Sequence, residues 1–451
     1  MQLPSDLLHA LSGIPSFQRE RMQEAHTRDA KVSVRFSAEG KVFSESFMGK
    51  PVPWCPSGIT LLERPSFISD PLWHAGRYYV QEASSMFLDH VLSVLPMQKE
   101  APHAWLDLCA APGGKSLIMC DHLGDDDVLV SNEVIAARNA ILRENMTRWG
   151  NCRTLVTRAE AETIASVGAV FDVVLADVPC SGSGLFRRDP RVANSWSESQ
   201  VIFCAERQKK ILSSILPAIR PGGFLIYSTC SFSKEENEDI LDYLFAQKGL
   251  HGCRLELPPE WGIAESESSA HGIPGYRFWP YQLDGEGFFI AVLRMPDNEN
   301  SGAQKKKVQL PKPYEQPLPA KALGNTFFYL QETEWVQATA ATAAFYASFA
   351  NTLGCRQWGL PVLNNEKGLL MPLQGMACSR ELTHDFPALE LSLQEAQKYL
   401  SRQALPRLEE HKGFVLCTYK GVPLGFGKSV GTRINNLYPS SWRIRKQVEM
   451  E

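Results

Sequence analysis

The stretch Phe171-Asp172-Val173-Val174-Leu175-Ala176-Asp177-Val178-Pro179-Cys180-Ser181-Gly182 reads as a short buried strand that runs into a turn carrying a carboxylate and a thiol. An apolar, β-branched run of this length, bounded by turn residues, predicts a strand covered on both faces. Fifty residues beyond Cys180, Gly223-Phe224-Leu225-Ile226-Tyr227 leads into Ser228-Thr229-Cys230-Ser231, a second such strand with a second cysteine at the same end. Upstream, Trp105-Leu106-Asp107-Leu108-Cys109 is turned by Ala110-Ala111-Pro112-Gly113-Gly114 into a helix that opens on Lys115-Ser116. Open α/β sheets bind ligands beyond the carboxyl ends of their strands. With neighbouring strands ~4.8 Å apart, the three stretches predict one crevice holding two sulfurs, a carboxylate and a glycine-rich loop.

Outward from these stretches the same rhythm continues. Strands over 104–109, 128–132, 153–157, 171–177 and 223–229 alternate with helices over 115–122, 135–148, 198–216 and 234–247. That order predicts an α/β, Rossmann-like, doubly wound parallel sheet, closed by an antiparallel edge strand over Gly287–Leu293. At 451 residues the chain exceeds one ordinary core. The pattern divides it into a small α/β domain over 1–75, the sheet domain over 76–296, a Pro- and Lys-containing linker over 297–319, an intermediate domain over 320–395 and a final module over 396–451. Within 1–75, helical spacing runs over 3–11 and 15–25, and residues 31–36 alternate as a half-buried strand does.

Composition narrows the function classes. A formal charge of −4 announces no polyanion partner, although a basic face can be local. Eleven cysteines, with no CxxC pair and no Cys/His cluster at zinc spacing, read as reduced thiols in a cytoplasmic protein without a metal. The first residues lack a basic, then apolar, leader, and no apolar run approaches the ~20 residues that span a bilayer.

The loop Cys109–Lys115 has neither P-loop nor full GxGxxG spacing. Its paired glycines let backbone approach a ligand at a helix amino end, where anionic groups are favoured. Glu133 stands at the end of the next strand, about twenty residues on, where an acid accepts from ribose hydroxyls. A nucleoside with a carboxylate-bearing tail follows, which fits S-adenosylmethionine. Glu160, after the third strand, is either an acceptor for the adenine amine or a solvated surface glutamate. A pyrimidine C5 is a poor nucleophile, but a thiolate added at C6 makes an enamine whose C5 attacks a sulfonium methyl. Cys230, Cys180 and Asp177 are the right groups for that chemistry, with Asp177 able to bond N3 and the exocyclic amine of cytosine.

The runs 106–116, 177–182 and 227–231 resemble motifs of the NOP/Sun family of RNA cytosine-C5 methyltransferases. Leu185–Pro190, Glu235-Glu236-Asn237-Glu238 and Asp284–Phe289 are similar to the same family, and both ends of the chain resemble its bacterial RsmF-type members. The resemblance implies a 16S ribosomal RNA substrate, met within a small-subunit particle by a monomer, and a PUA-like RNA-binding module at the carboxyl end. It also implies that residues Cys109, Ala110, Ala111, Pro112, Gly113, Gly114 and Lys115 hold S-adenosylmethionine, with Glu133 on the ribose, Glu160 near adenine and Asp177 beside the cofactor. Cys230 becomes the nucleophile, Cys180 the group that resolves the adduct, and Lys115 with Asp177 the holders of the base. In DNA cytosine-C5 methyltransferases the Pro-Cys cysteine attacks instead, so chemistry alone leaves the two thiols undivided. Two departures stand out: Glu160 where relatives carry Asp, and Tyr281 where they often carry His.

A target base must leave its helix to reach strand ends. Arg187, Arg188, Arg191 and Lys234 are expected to bind RNA phosphates at the mouth, with Lys428, Arg433, Arg443, Arg445 and Lys446 on the tail and Tyr438 and Trp442 stacking among them. Three readings remain at this point: a ribosomal RNA methyltransferase, a transfer RNA methyltransferase with the same chemistry, and a non-catalytic RNA-binding assembly factor.

Overall fold

The computed structural model describes residues 3–97, 102–283, 285–297, 312–313, 320–366, 368–403, 405 and 411–445. Most of the expected linker over 297–319, together with Asp284 and Lys446, lies outside these residues.

Near the amino end, Ser33–Phe36 (β1), Gly49–Val52 (β2), Cys55–Leu61 (β3) and Tyr78–Val80 (β4) form an antiparallel sheet in the order β2-β3-β1-β4. The expected boundary at 75/76 therefore falls just short of a strand this sheet needs. All of β1 is buried, not half of it as its alternation suggests. Val34 and Phe36 enter a core shared with the carboxyl-terminal module, while Arg35 points the other way, Nη1 donating to Asp121 Oδ2 at 2.6 Å. Each face of the strand is covered by a different part of the chain.

The central sheet contains Ala104–Asp107 (β5), Val128–Asn132 (β6), Thr154–Thr157 (β7), Phe171–Asp177 (β8) and Ile219–Thr229 (β9), all parallel, in the order β7-β6-β5-β8-β9. Every residue of β5 and β6 is buried, because helices such as Gly114–His122 and Ala136–Trp149 connect parallel strands across the sheet faces. Beyond β9 come His251–Gly252 (β10), Ala264–Glu267 (β11), Pro274–Phe278 (β12) and Phe288–Arg294 (β13). β13 is antiparallel to β9, as expected, but it is not an edge: β12 and then β11 continue the sheet. The opposite edge is extended by Cys355–Trp358, which pairs antiparallel with β7. The intermediate region thus shares the central core, adding Tyr329, Val336, Ala338 and Trp358 to it.

The expected boundary at 395/396 cuts the helix Leu393–Leu400. A Ser392/Glu395 capping box starts that helix, and Ala396, Tyr399 and Leu400 bury it against the last sheet. That sheet comprises Ala388–Glu390, Lys412–Tyr419, Val422–Val430 and Ile434–Asn436. Among the described residues no helix is long and apolar enough to cross a membrane.

Candidate active site

The strand order reverses between β5 and β8, so the glycine loop after β5 and the Pro-Cys turn after β8 flank the switch point of the sheet. β9 lies beside β8 with Asp177 opposite Ser228. The turns that follow therefore leave the sheet together, and Cys180 Sγ stands 2.9 Å from Cys230 Sγ. Both thiols are half-buried and neither is in a disulfide. The hydrogen bond to Cys230, then burial, pushes the Cys180 thiol well above the ordinary cysteine range.

Asp177 closes the end of β8. Its Oδ2 accepts from Lys115 Nζ at 2.8 Å and its Oδ1 from Ser228 Oγ at 2.8 Å. Burial disfavours the Lys115 ammonium, but the charge and hydrogen bond of Asp177, with Asp107 and Cys230 adding to them, outweigh it and raise the lysine above its ordinary value. Lys115 Nζ also lies 5.0 Å from the centre of the Phe288 ring. One cation, one carboxylate and two sulfurs are thus gathered at the carboxyl ends of three adjacent strands.

The glycine loop is held from outside. Ala110 N–H donates to Asn132 O, Arg138 Nη2 donates to Ala111 O at 2.5 Å, and Asn145 Nδ2 donates to Pro112 O at 2.9 Å. Gly113 has φ +121°, a conformation that L side chains rarely adopt. Asp107 is wholly buried; one oxygen accepts from Ser116 Oγ at 2.6 Å, and Oδ1 has no partner among the described residues. Burial raises its carboxyl to about 7. Burial also raises the thiol of half-buried Cys109 above the ordinary range. Glu133 is buried at the end of β6, accepting from Ile135 N–H at 2.9 Å and pairing with Arg138 at 3.2 Å. A carboxylate has about four acceptor sites, so capacity for a hydroxyl remains. The Gly113-Gly114 turn, the unpartnered Asp107 oxygen and the acid on β6 together fit a nucleoside ligand with an amino-acid tail. Glu160 is exposed at the start of the helix Ala161–Ala165 and does not cap it.

The bracing of the site has no signature in the sequence. Asn132 bridges three strand ends: its Nδ2 donates to Leu108 O and Ala159 O, and its Oδ1 accepts from Thr157 Oγ1 and Ala159 N–H. Glu236, fully buried, accepts from Ser181 and Ser231, the residues that follow the two cysteines. The run Glu235-Glu236-Asn237-Glu238 resembles a family motif, but its spacing carries no signal of these contacts. Tyr281 now has an account: its hydroxyl donates to Ser16 O at 2.6 Å and its ring stacks on Trp279, fastening the amino-terminal helices beside the site.

The cations divide. Arg187 is buried and spends its guanidinium on the carbonyls of Arg28, Asp29 and Gly285, so it staples the turn to the amino-terminal unit and does not present itself to RNA. Arg188 is exposed beside Glu286 at 3.6 Å, Arg191 is exposed and chelated by Asp189, and Lys234 pairs with Asp239 at 3.1 Å. On the last module, Arg433, Arg443 and Arg445 are exposed, while half-buried Lys428 lies over the Phe414 ring. Tyr438 is buried in the core and offers no face for stacking, while half-buried Trp442 has the Arg148 guanidinium over its ring.

Residues 93–294 match the model of the 16S rRNA methyltransferase RsmB/F family, and 386–444 that of the methyltransferase RsmF PUA domain. The chain is 30% identical to the ribosomal RNA small subunit methyltransferase F of Enterobacter sp. (strain 638), over 86% of this chain and 83% of that one. It is 29% identical to the protein of the same name from Vibrio parahaemolyticus, over 86% and 84%. Among solved structures, a methyltransferase homolog from Pyrococcus horikoshii superposes with a TM-score of 0.53 at 26% identity, covering 64% of this chain and 93% of that one. NSun6 from Pyrococcus horikoshii shares the fold with a TM-score of 0.54 at 18% identity, covering 65% and 99%. With motifs, fold and near full-length similarity in agreement, the chain belongs to the ribosomal RNA small subunit methyltransferase F family.

Proposed function

We propose that this chain methylates C5 of a cytosine in 16S ribosomal RNA, using S-adenosylmethionine and a transient bond between Cys230 and C6 of the base. The observation that carries this reading is the contact of two thiols, 2.9 Å apart, beside the Lys115–Asp177 pair. A non-catalytic RNA-binding protein has no use for that arrangement. The relatives' names supply the small-subunit RNA as substrate.

The loop Cys109–Lys115 would hold the amino-acid end of the cofactor, with Glu133 at its ribose, Glu160 toward its adenine and Asp177 alongside. When bound, the cofactor supplies an electrophilic methyl group. Cys230 attacks C6 as the thiolate, and the π electrons move to C5, which takes the methyl. Asp177 bonds the N3 face of the base, and Lys115 stabilises the charge that develops there.

The C5 proton must then leave so that the C6–S bond can break. The hydrogen bond to Cys230 and then burial hold the Cys180 thiol well above the ordinary cysteine range. Once the Cys230 sulfur is a thioether it carries no charge and is only a weak acceptor, so its hold on the Cys180 proton weakens. Cys180 then gives up its proton to solvent more readily, and its thiolate can take the proton from C5. Elimination restores the double bond and frees Cys230. We further propose that the chain acts in the cytoplasm as a monomer on a small-subunit particle.

The test is covalent trapping on RNA containing 5-azacytidine. Cys230→Ala abolishes the trapped complex, and on ordinary RNA Cys180→Ala leaves the adduct unresolved. Trapping by Cys230→Ala would reverse the roles. Bisulfite sequencing of RNA from a deletion strain identifies the substrate: a lost 16S site supports the proposal, and a site lost only from transfer RNA refutes it.

A further inference from the structure

Neither cysteine turn is held by its own strand alone. Ser181 directly follows Cys180, and Ser231 directly follows Cys230, and both converge on the carboxylate of Glu236. Its Oε1 accepts from Ser181 N–H at 2.8 Å and from Gln208 Nε2 at 3.1 Å. Its Oε2 accepts from Ser181 Oγ at 2.5 Å and from Ser231 Oγ at 2.6 Å. Gln208 reaches the same turn from the other side, donating to Pro179 O at 3.1 Å. Pro179, Ser181 and Ser231 are thus tied to one fully buried side chain and the amide beside it. The two serine hydroxyls are themselves 3.2 Å apart.

We propose that Glu236 is the positioning residue of the thiol pair, a buried clamp that holds the two cysteine turns in one register so that both sulfurs address the same base. Glu236 contacts neither sulfur and acts through Ser181 and Ser231. The inference rests on the proposed reaction for its meaning, but the clamp itself is a property of the protein alone.

Glutamine at 236 can keep most of the network. Its carbonyl oxygen serves Ser181 N–H and Gln208, and its amide donates to hydroxyls that rotate to accept. Alanine removes every bond that the Glu236 side chain accepts, leaving only the Gln208–Pro179 bond and the contact between the serine hydroxyls. Two readouts therefore go together. First, brief diamide treatment without RNA oxidises adjacent thiols to a disulfide while the reagent is reduced to its hydrazine, and peptide mass spectrometry measures the Cys180–Cys230 product. Second, steady-state methylation separates kcat from the KM for cofactor. Glu236→Ala is expected to slow formation of that disulfide and to lower kcat on the order of 10²-fold, the loss that a misplacement of about 1 Å produces, with the cofactor KM unchanged. Glu236→Gln is expected to recover most of both.

Should Glu236→Ala not fold, the Ser181→Ala/Ser231→Ala double variant carries the same expectation, since it removes the hydroxyl arms and leaves the carboxylate. Wild-type disulfide yield and kcat in the alanine variant, or in the double variant if that one is needed, would overturn the clamp. Loss of the clamp readout with retained trapping by Cys230→Ala would instead uphold the clamp and refute the proposed roles of the cysteines.

Discussion

At the scale of single residues, burial decides more than identity does. Asp107 and Asp177 both stand at carboxyl ends of central strands, yet only Asp177 meets a lysine. Asp107 is sealed with one hydroxyl partner, and its carboxyl rises to about 7. The sign of the consequence follows from linkage. Because the folded value exceeds the unfolded one of 3.8, its favourable contribution is complete below that pH and is lost as pH rises toward 7. The unfolding free energy of the wild type, read from urea titration, should therefore fall relative to that of Asp107→Asn between about pH 4 and 7, by an amount on the order of a few kcal/mol. Parallel pH profiles for the two proteins would show that the carboxyl is not shifted. Cys180 and Cys230 were legible as a pair from residue type and strand position alone. Their contact at 2.9 Å was not, because it depends on how two turns leave adjacent strands.

At the scale of elements, the run Glu236-Asn237-Glu238 folds back on the cysteine turn before its helix begins. Thr229 Oγ1 donates to Asn237 Oδ1 at 2.6 Å, and Asn237 Nδ2 donates to Ser231 O at 2.8 Å. Glu238, the first residue of the helix Glu238–Lys248, forms a buried two-point pair with Arg277 on β12, whose Nη1 reaches Phe232 O at 2.7 Å. A buried pair adds little net stability, but breaking one strands a charge at a cost of about 3–5 kcal/mol. Glu238→Ala is expected to lose that much in denaturant titration, while Glu238→Leu/Arg277→Met recovers part of it. A Glu238→Ala variant within about 0.5 kcal/mol of wild type, the range of ordinary surface substitutions, would show that the pair is not structural. The strands and helices around this brace were predicted from period. β11 and β12 were not, since Ala264–Glu267 is short and polar and reads as a loop until β12 pairs with it.

At the scale of the whole molecule, Asp121 joins three regions. Its carboxylate accepts from Arg35 of the amino-terminal sheet at 2.6 Å, from Trp149 Nε1 at 2.9 Å and from Arg380 of the carboxyl-terminal region at 3.1 Å. Burial works against the charge, but Arg35 and Arg380 outweigh it and hold the carboxyl below its ordinary value. The stability it contributes is present above the ordinary carboxylate value and is lost as pH falls through the depressed one. Asp121→Ala leaves Arg35 buried without its partner and should cost about 3–5 kcal/mol. The loss should appear in hydrogen exchange as faster opening of β1 and of Cys355–Trp358 together. Opening of β1 alone would mean that the three regions are not coupled through this residue. The mechanical reason is the shared core: Val34, Phe36 and Tyr78 pack with Tyr399, Val415 and Tyr438, so the first and last modules are stable as one body.

The amino-acid order determined the parallel sheet, its loops and the chemical types gathered at its rim, because those follow from local period, turn residues and the rule that strand ends collect ligands. Tertiary structure alone decided which arginine is spent on backbone, as Arg187 is, and which face of β1 meets which module. It alone decided that one glutamate would serve two cysteine turns. Each of those outcomes depends on at least one contact between residues tens to hundreds of positions apart, such as Ser181 with Glu236, and no short window of sequence contains both of those partners.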